Sequence, residues 1–169
     1  HYSLHSFPTR RLFRSVVQAT VCSRLDYCNA VFLGSPDYAL RRLQHVQSAA
    51  VKAALGLPRR ASSSGTLAKL HWLPISQRVL FKSLCLVYNA LNNLGPSFLQ
   101  SRFLRYAPVR ALRSSSLCLL KVPKSRKKRL EGRAFSVQTA TLWNTLPINL
   151  KLAPSLMTFH KLLKTSLFP

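Results

Sequence analysis

A chain of 169 residues with 47% hydrophobic content is long enough for one domain, or one domain with an appendage, and for a real core. Its 26 Lys+Arg stand against 3 Asp+Glu, formally +23, so almost every cation lacks an acidic partner within the chain and the surface calls for a polyanion. Nucleic acid comes before an anionic membrane face, because no apolar run approaches the ~18 residues that a membrane span needs, and no signal-peptide pattern opens the chain.

After a short lead-in, Phe13, Val17, Val21, Cys28 and Phe32 recur at helical spacing. They predict a helix over Arg10–Phe32, ended at Leu33-Gly34 and stopped by Pro36. Tyr38–Leu55 predicts a second, with Leu40, Leu43, Val46, Ala50, Ala53 and Leu57 inward and Arg41, His45 and Lys52 on a solvated face. The short Gly34–Asp37 connection makes the two an antiparallel pair. Gly56 and Pro58 end the second helix. RRASSS (59–64) reads as a basic linker, and Gly65–Leu70 as one short helical turn.

Leu70–Leu94 is the organising stretch. Pro74 suits a first helical turn, where a missing N–H costs nothing, and Gly95 the left-handed residue past the end, with Pro96 forbidding continuation. Leu80, Leu84, Val87, Leu91 and Leu94 form one apolar line, and Phe81, Cys85 and Tyr88 a second beside it. A face that wide is packed on more than one side.

Pro96–Arg105 fits a further turn or two, and Tyr106–Ser116, with Pro108, Arg110, Arg113 and three serines, a loop. Leu117–Val122 alternates like a short strand ending at Pro123. Next comes the densest cationic run, KSRKKRLEGR (124–133). Phe135, Thr139, Leu142, Trp143 and Leu146 resume a helix over Ala134–Leu146, halted by Pro147. Ser155 caps a last helix, Leu156–Leu167, whose stripe is Leu156, Phe159, Leu163 and Leu167.

The fold class that follows is mainly α: about five to six helices, with room for a short β element near 117–130. Residues 1–105 form a helical core around the helix 74–94, residues 106–133 a basic loop or hairpin, and residues 134–169 helices that pack back on the core.

Three acids, at 26, 37 and 131, do not supply the grouped carboxylates that hydrolytic or phosphoryl chemistry needs. GxGxxG, GxxxxGK[ST] and GxSxG are all missing. Cys22, Cys28, Cys85 and Cys118 include no CxxC pair, so they read as reduced, mostly buried thiols rather than a zinc site or a disulfide framework. No catalytic residue, metal, cofactor or small-molecule substrate is expected. Asp26 should pair with a cation such as Arg42. The candidate nucleic-acid contacts are Arg110, Arg113, Lys121, Lys124, Arg126, Lys127, Lys128, Arg129 and Arg133. Lys and Arg would take phosphates, while Tyr106, Phe135 or Trp143 could stack on unpaired bases if they are not core.

SRLDYCNAVFLGSP, RRLQHVQSAAVK, LHWLPISQRVLFKSLCLVYNALNNLGPSFL, LRSSS, GRAFSVQTATLWNTLP and SLMTFHKLLKTSLF, in that order from Ser23 to the C-terminus, resemble one family region. It is the segment downstream of the reverse-transcriptase domain in non-LTR retrotransposons, the LINE elements of the jockey-like kind. The family's polymerase needs metal-binding aspartates in a YADD-type motif, and its endonuclease is a separate upstream domain; this chain contains neither. The resemblance implies a non-catalytic, thumb-like helical segment that helps hold RNA or DNA beside the upstream reverse-transcriptase domain of the same polyprotein, in nucleus or cytoplasm. A chain opening at His1 rather than Met reads as a fragment or truncated copy. The rival readings are a structural helical domain docking on the polymerase, and a free-standing basic RNA-binding protein.

Overall fold

Helical periodicity dominates the folded chain. The computed structural model describes residues 7–62, 64–108, 117–124 and 131–168, and among these the protein is mainly α, with no strand beyond one isolated bridge. Five helices run 11–19 residues: α1 (Phe7–Val17), α3 (Asp37–Leu55), α5 (Ile75–Leu91), α7 (Phe135–Thr145) and α9 (Leu156–Leu167). Short turns lie between them: α2 (Ser23–Asp26), α4 (Ser64–Lys69), α6 (Ser97–Gln100) and α8 (Ile148–Lys151). The chain divides into two units, His1–Asn29 with Pro36–Arg78, and Ala30–Ser35 with Val79–Pro169.

In the first unit, Val17, Cys22, Val51, Ala54, Leu67, Leu70 and Trp72 form the buried cluster. Burial pushes the Cys22 thiol above its ordinary pKa. The single helix expected over Arg10–Phe32 is not formed. Instead α1 passes through a π turn at Gln18–Cys22 into α2, Tyr27 becomes extended, and Cys28 turns left-handed at φ 49°. The break at Tyr27–Cys28 falls just before the chain passes at Ala30 into the residues of the second unit. A 3-10 turn, Asn29–Phe32, then leads to Gly34, whose φ of 75° a residue with a side chain rarely adopts.

α3 ends as expected. Gly56 is left-handed at φ 63°, with its N–H on Ala53 O and the Leu57 N–H on Lys52 O, the paired bonds of a Schellman motif. Its inward face is not the expected one, however. Gln47, Val51 and Ala54 are buried, whereas Val46, Ala53 and Leu57 are exposed. Hydrogen bonding decides the rotation. Gln47 Nε2 donates to Leu73 O at 2.9 Å, Gln44 Nε2 to Gln47 Oε1 at 3.0 Å, and the Ile75 N–H to Gln44 Oε1 at 2.9 Å. Two glutamines thus cap the entry to α5, whose first N–H groups have no partner within the helix.

Asp26 pairs with Arg78, not Arg42: Arg78 Nη1 lies 2.6 Å from Asp26 Oδ1, and Arg78 Nε donates to Leu73 O at 3.0 Å. The Asp26 side chain is 47% exposed, so solvent screens the pair. Asp26→Asn should therefore lower stability by only about 0.5–1 kcal/mol, less in high salt, as read from urea midpoints at two salt concentrations. A salt-independent loss would mean that the carboxylate acts by some route other than charge.

In the second unit α5 contributes Leu84, Cys85, Val87, Tyr88 and Ala90 to a cluster completed by Phe103, Leu120, Ala140, Trp143, Leu150, Ala153, Phe159 and Leu163. Leu94, expected on the packing line, is exposed. α5 does not close on Gly95 as expected. Asn93 takes the left-handed position at φ 57°, and the Leu94 N–H reaches back to Asn89 O at 2.8 Å. Asparagine is the usual alternative to glycine there. Burial pushes the Cys85 thiol up to about 12, leaving it protonated and inert.

The strand expected over Leu117–Val122 shrinks to one antiparallel bridge, Arg105 opposite Leu120. The Tyr106 N–H donates to Leu119 O and the Lys121 N–H to Leu104 O, each at 2.8 Å. On its far side Leu120 meets a side chain rather than a strand. Its N–H donates to Asn144 Oδ1 at 2.8 Å, and Asn144 Nδ2 donates to Leu120 O at 2.9 Å. One amide satisfies the edge on which a ladder would have grown.

α7 ends before Pro147, which opens the unexpected turn α8. Ser155 Oγ accepts the Thr158 N–H at 3.2 Å and starts α9 where the sequence placed it.

Candidate nucleic-acid interface

Of the nine candidate contacts, Arg110, Arg113, Arg126, Lys127, Lys128 and Arg129 lie outside the described residues, while Lys121, Lys124 and Arg133 lie within them, all exposed. Lys121 is held by its backbone bond to Leu104, next to the bridge that pairs the exposed Arg105 with Leu120. Arg133 is held in another locality. It ends a 3-10 turn, Glu131–Arg133, which Gln138 Nε2 pins by donating to Gly132 O at 2.6 Å; its backbone lies against Gly34.

The three aromatics divide sharply. Trp143 is 2% exposed, and its Nε1 donates to Cys118 O at 3.1 Å, so it is core and does not stack on bases. Phe135 is half-buried, edge-on to Phe103 with centroids 6.3 Å apart. Tyr106 is 43% exposed, the most open of the three, and follows the exposed Arg105 in the chain.

Lys151, which sequence reading did not single out, serves the scaffold. It is half-buried, donates from Nζ to Asn144 O at 3.1 Å, and burial lowers its pKa below the ordinary lysine value. With Arg105, Cys118 and Trp143 it lines a cavity of about 30 Å³, too small for a nucleotide. Further exposed cations stand at Arg102, Arg105, Lys82, Lys161 and Lys164 in the second unit, and at Arg24, Arg41, Arg42, Arg59 and Arg60 in the first. Those on α9 had a legible signal: they fall outside the Leu156–Phe159–Leu163 stripe, on the side that the stripe turns to solvent.

A scan of protein-family models and searches of curated proteins and of solved structures each found no match to this chain. Among the described residues, no helix is long and apolar enough to cross a membrane, and no group of three or more His, Cys, Asp or Glu could hold a metal ion.

Proposed function

We propose that this chain is a non-catalytic, nucleic-acid-binding accessory segment of a retrotransposon reverse transcriptase, thumb-like in role, acting beside the upstream polymerase domain in nucleus or cytoplasm. One observation carries the reading. The chain has 26 basic residues against 3 acids, and among the described residues only Arg78 is engaged in an ion pair. A surface so charged gains from a polyanion what it loses to self-repulsion. The ordered resemblance from Ser23 to the C-terminus supplies the family.

The test is salt dependence. Replacing Arg126, Lys127, Lys128 and Arg129 together by Gln should flatten the slope of log K against log salt by roughly three units on single-stranded RNA or duplex DNA. The charge-matched set Arg10, Arg11, Arg41 and Arg42 should change it less. Equal losses would replace a localised interface with a diffuse one, and no binding at moderate salt would end the reading.

A second reading, a structural domain docking on the polymerase, is favoured by large apolar side chains left in solvent, among them Val31 at 78% and Phe98 at 66% exposure. Fusing the upstream polymerase domain separates the two: nucleic-acid affinity that arises only in the fusion supports docking.

A further inference from the structure

α9 buries Phe159 and Leu163 completely, and its opposite side carries Met157, His160, Lys161 and Lys164 at helical spacings of three and four. Beside them lies Phe81 of α5, with its ring centroid 5.4 Å from that of His160 and the planes inclined at 49°. These residues line an open groove of about 590 Å³ within the second unit. Both rings are partly exposed, Met157 is 80% exposed, and Lys161 and Lys164 are exposed. The adjoining Lys82 on α5 is exposed as well.

We propose that this groove binds unpaired nucleotides of single-stranded RNA or DNA, with a base against the Phe81–His160 rings and the backbone phosphates on Lys161 and Lys164. This rests on the nucleic-acid reading above but places a second contact surface far along the chain from the 110–133 run. The charged side chains on the groove are all basic, which selects an anionic occupant. The partly exposed Phe81 and His160 rings beside the lysines then select among anions. A nucleobase has a π face to lay on a ring while its phosphates meet the cations, the combination by which single-stranded nucleic acids are held without sequence preference. An acidic peptide would match the lysines but leave the rings without a flat partner. The Lys164 Nζ, 5.9 Å from the Phe168 ring centroid, extends the same alternation of cation and ring toward the end of the helix.

The experiment titrates the full chain with fluorescent oligouridylate and oligothymidylate over a range of salt. Lys161→Gln with Lys164→Gln should lower the salt slope by about 1.4 units, two single-strand contacts. His160→Ala should weaken binding between about 5-fold and about 150-fold at fixed salt, as loss of a stacking partner does. The charge-matched control is Arg59→Gln with Arg60→Gln, both exposed in the first unit. Circular dichroism confirms that each variant folds, and ultraviolet cross-linking of the unaltered chain should place uridine on α9 or on Phe81. Tight binding with slopes indifferent to the α9 lysines, and cross-links elsewhere, overturns the groove while leaving the general reading intact. No oligonucleotide binding at all overturns both. An acidic peptide that shifts the groove resonances where the oligonucleotide does not overturns the proposal in favour of a protein partner.

Discussion

Phe159→Ala should remove about 3–5 kcal/mol of stability, the range for truncating a fully buried phenylalanine. Phe159 has no exposed surface, stacks on Tyr88 at 4.4 Å between centroids with planes 20° apart, and lies 6.1 Å from Trp143. Three rings from α9, α5 and α7 meet at that one position, so a vacancy there touches every long helix of the second unit's core. The neighbours are not free to fill it. The Tyr88 hydroxyl donates to Ala153 O at 2.8 Å and the Trp143 indole to Cys118 O, so each ring is held by its polar end. Small domains have only about 5–15 kcal/mol in hand, so the loss should be plain in urea melts. Phe98→Ala, at a position 66% exposed, serves as the control and should stay within about 0.5 kcal/mol. If both variants melt alike, the ring cluster is not what holds this unit together.

The second expectation concerns a polar group. Gln47→Leu keeps the bulk of a side chain with no exposed surface but removes its bond to Leu73 O and its acceptance from Gln44. The cost should be about 1–3 kcal/mol, the desolvation penalty of partners left unpaired. Arg78 Nε still donates to Leu73 O and Gln44 Nε2 still reaches Ser48 Oγ at 3.4 Å, which places the loss toward the lower end of that range. A double-mutant cycle with Gln44→Ala measures the link directly, and a coupling of about 0.5–3 kcal/mol is expected for two members of one network. Additive losses would mean that the glutamines act separately and that the relay to the Ile75 N–H contributes nothing of its own.

These two positions mark where the sequence was legible and where it was not. Phe159 was readable because a helix with one apolar stripe can point it only one way; the same logic located α9, its Ser155 cap and the Gly56 stop. Gln47 was not. Hydropathy ranks glutamine as a surface residue, and only the arrival of the Leu73–Ile75 backbone, 26 residues away in sequence, makes its burial favourable. The choice of Arg78 over Arg42 as the partner of Asp26 has the same origin in a contact between distant segments. Asn93 displaced Gly95 for a smaller reason, since either residue tolerates a left-handed turn and the pattern did not rank them. At the candidate interface, composition told that cations would be exposed. Trp143 lies on the helical line with Thr139 and Leu146, a spacing that favours a core ring over a stacking one, and it is enclosed.

The chain has two tryptophans, and they fall one to each buried cluster: Trp72, 5% exposed, in the first unit and Trp143, 2% exposed, in the second. Each unit thus carries its own intrinsic fluorophore, shielded from water while the surrounding side chains hold. With one indole exchanged for phenylalanine, the emission of the other belongs to a single unit, so light alone can follow the two melting together or in turn.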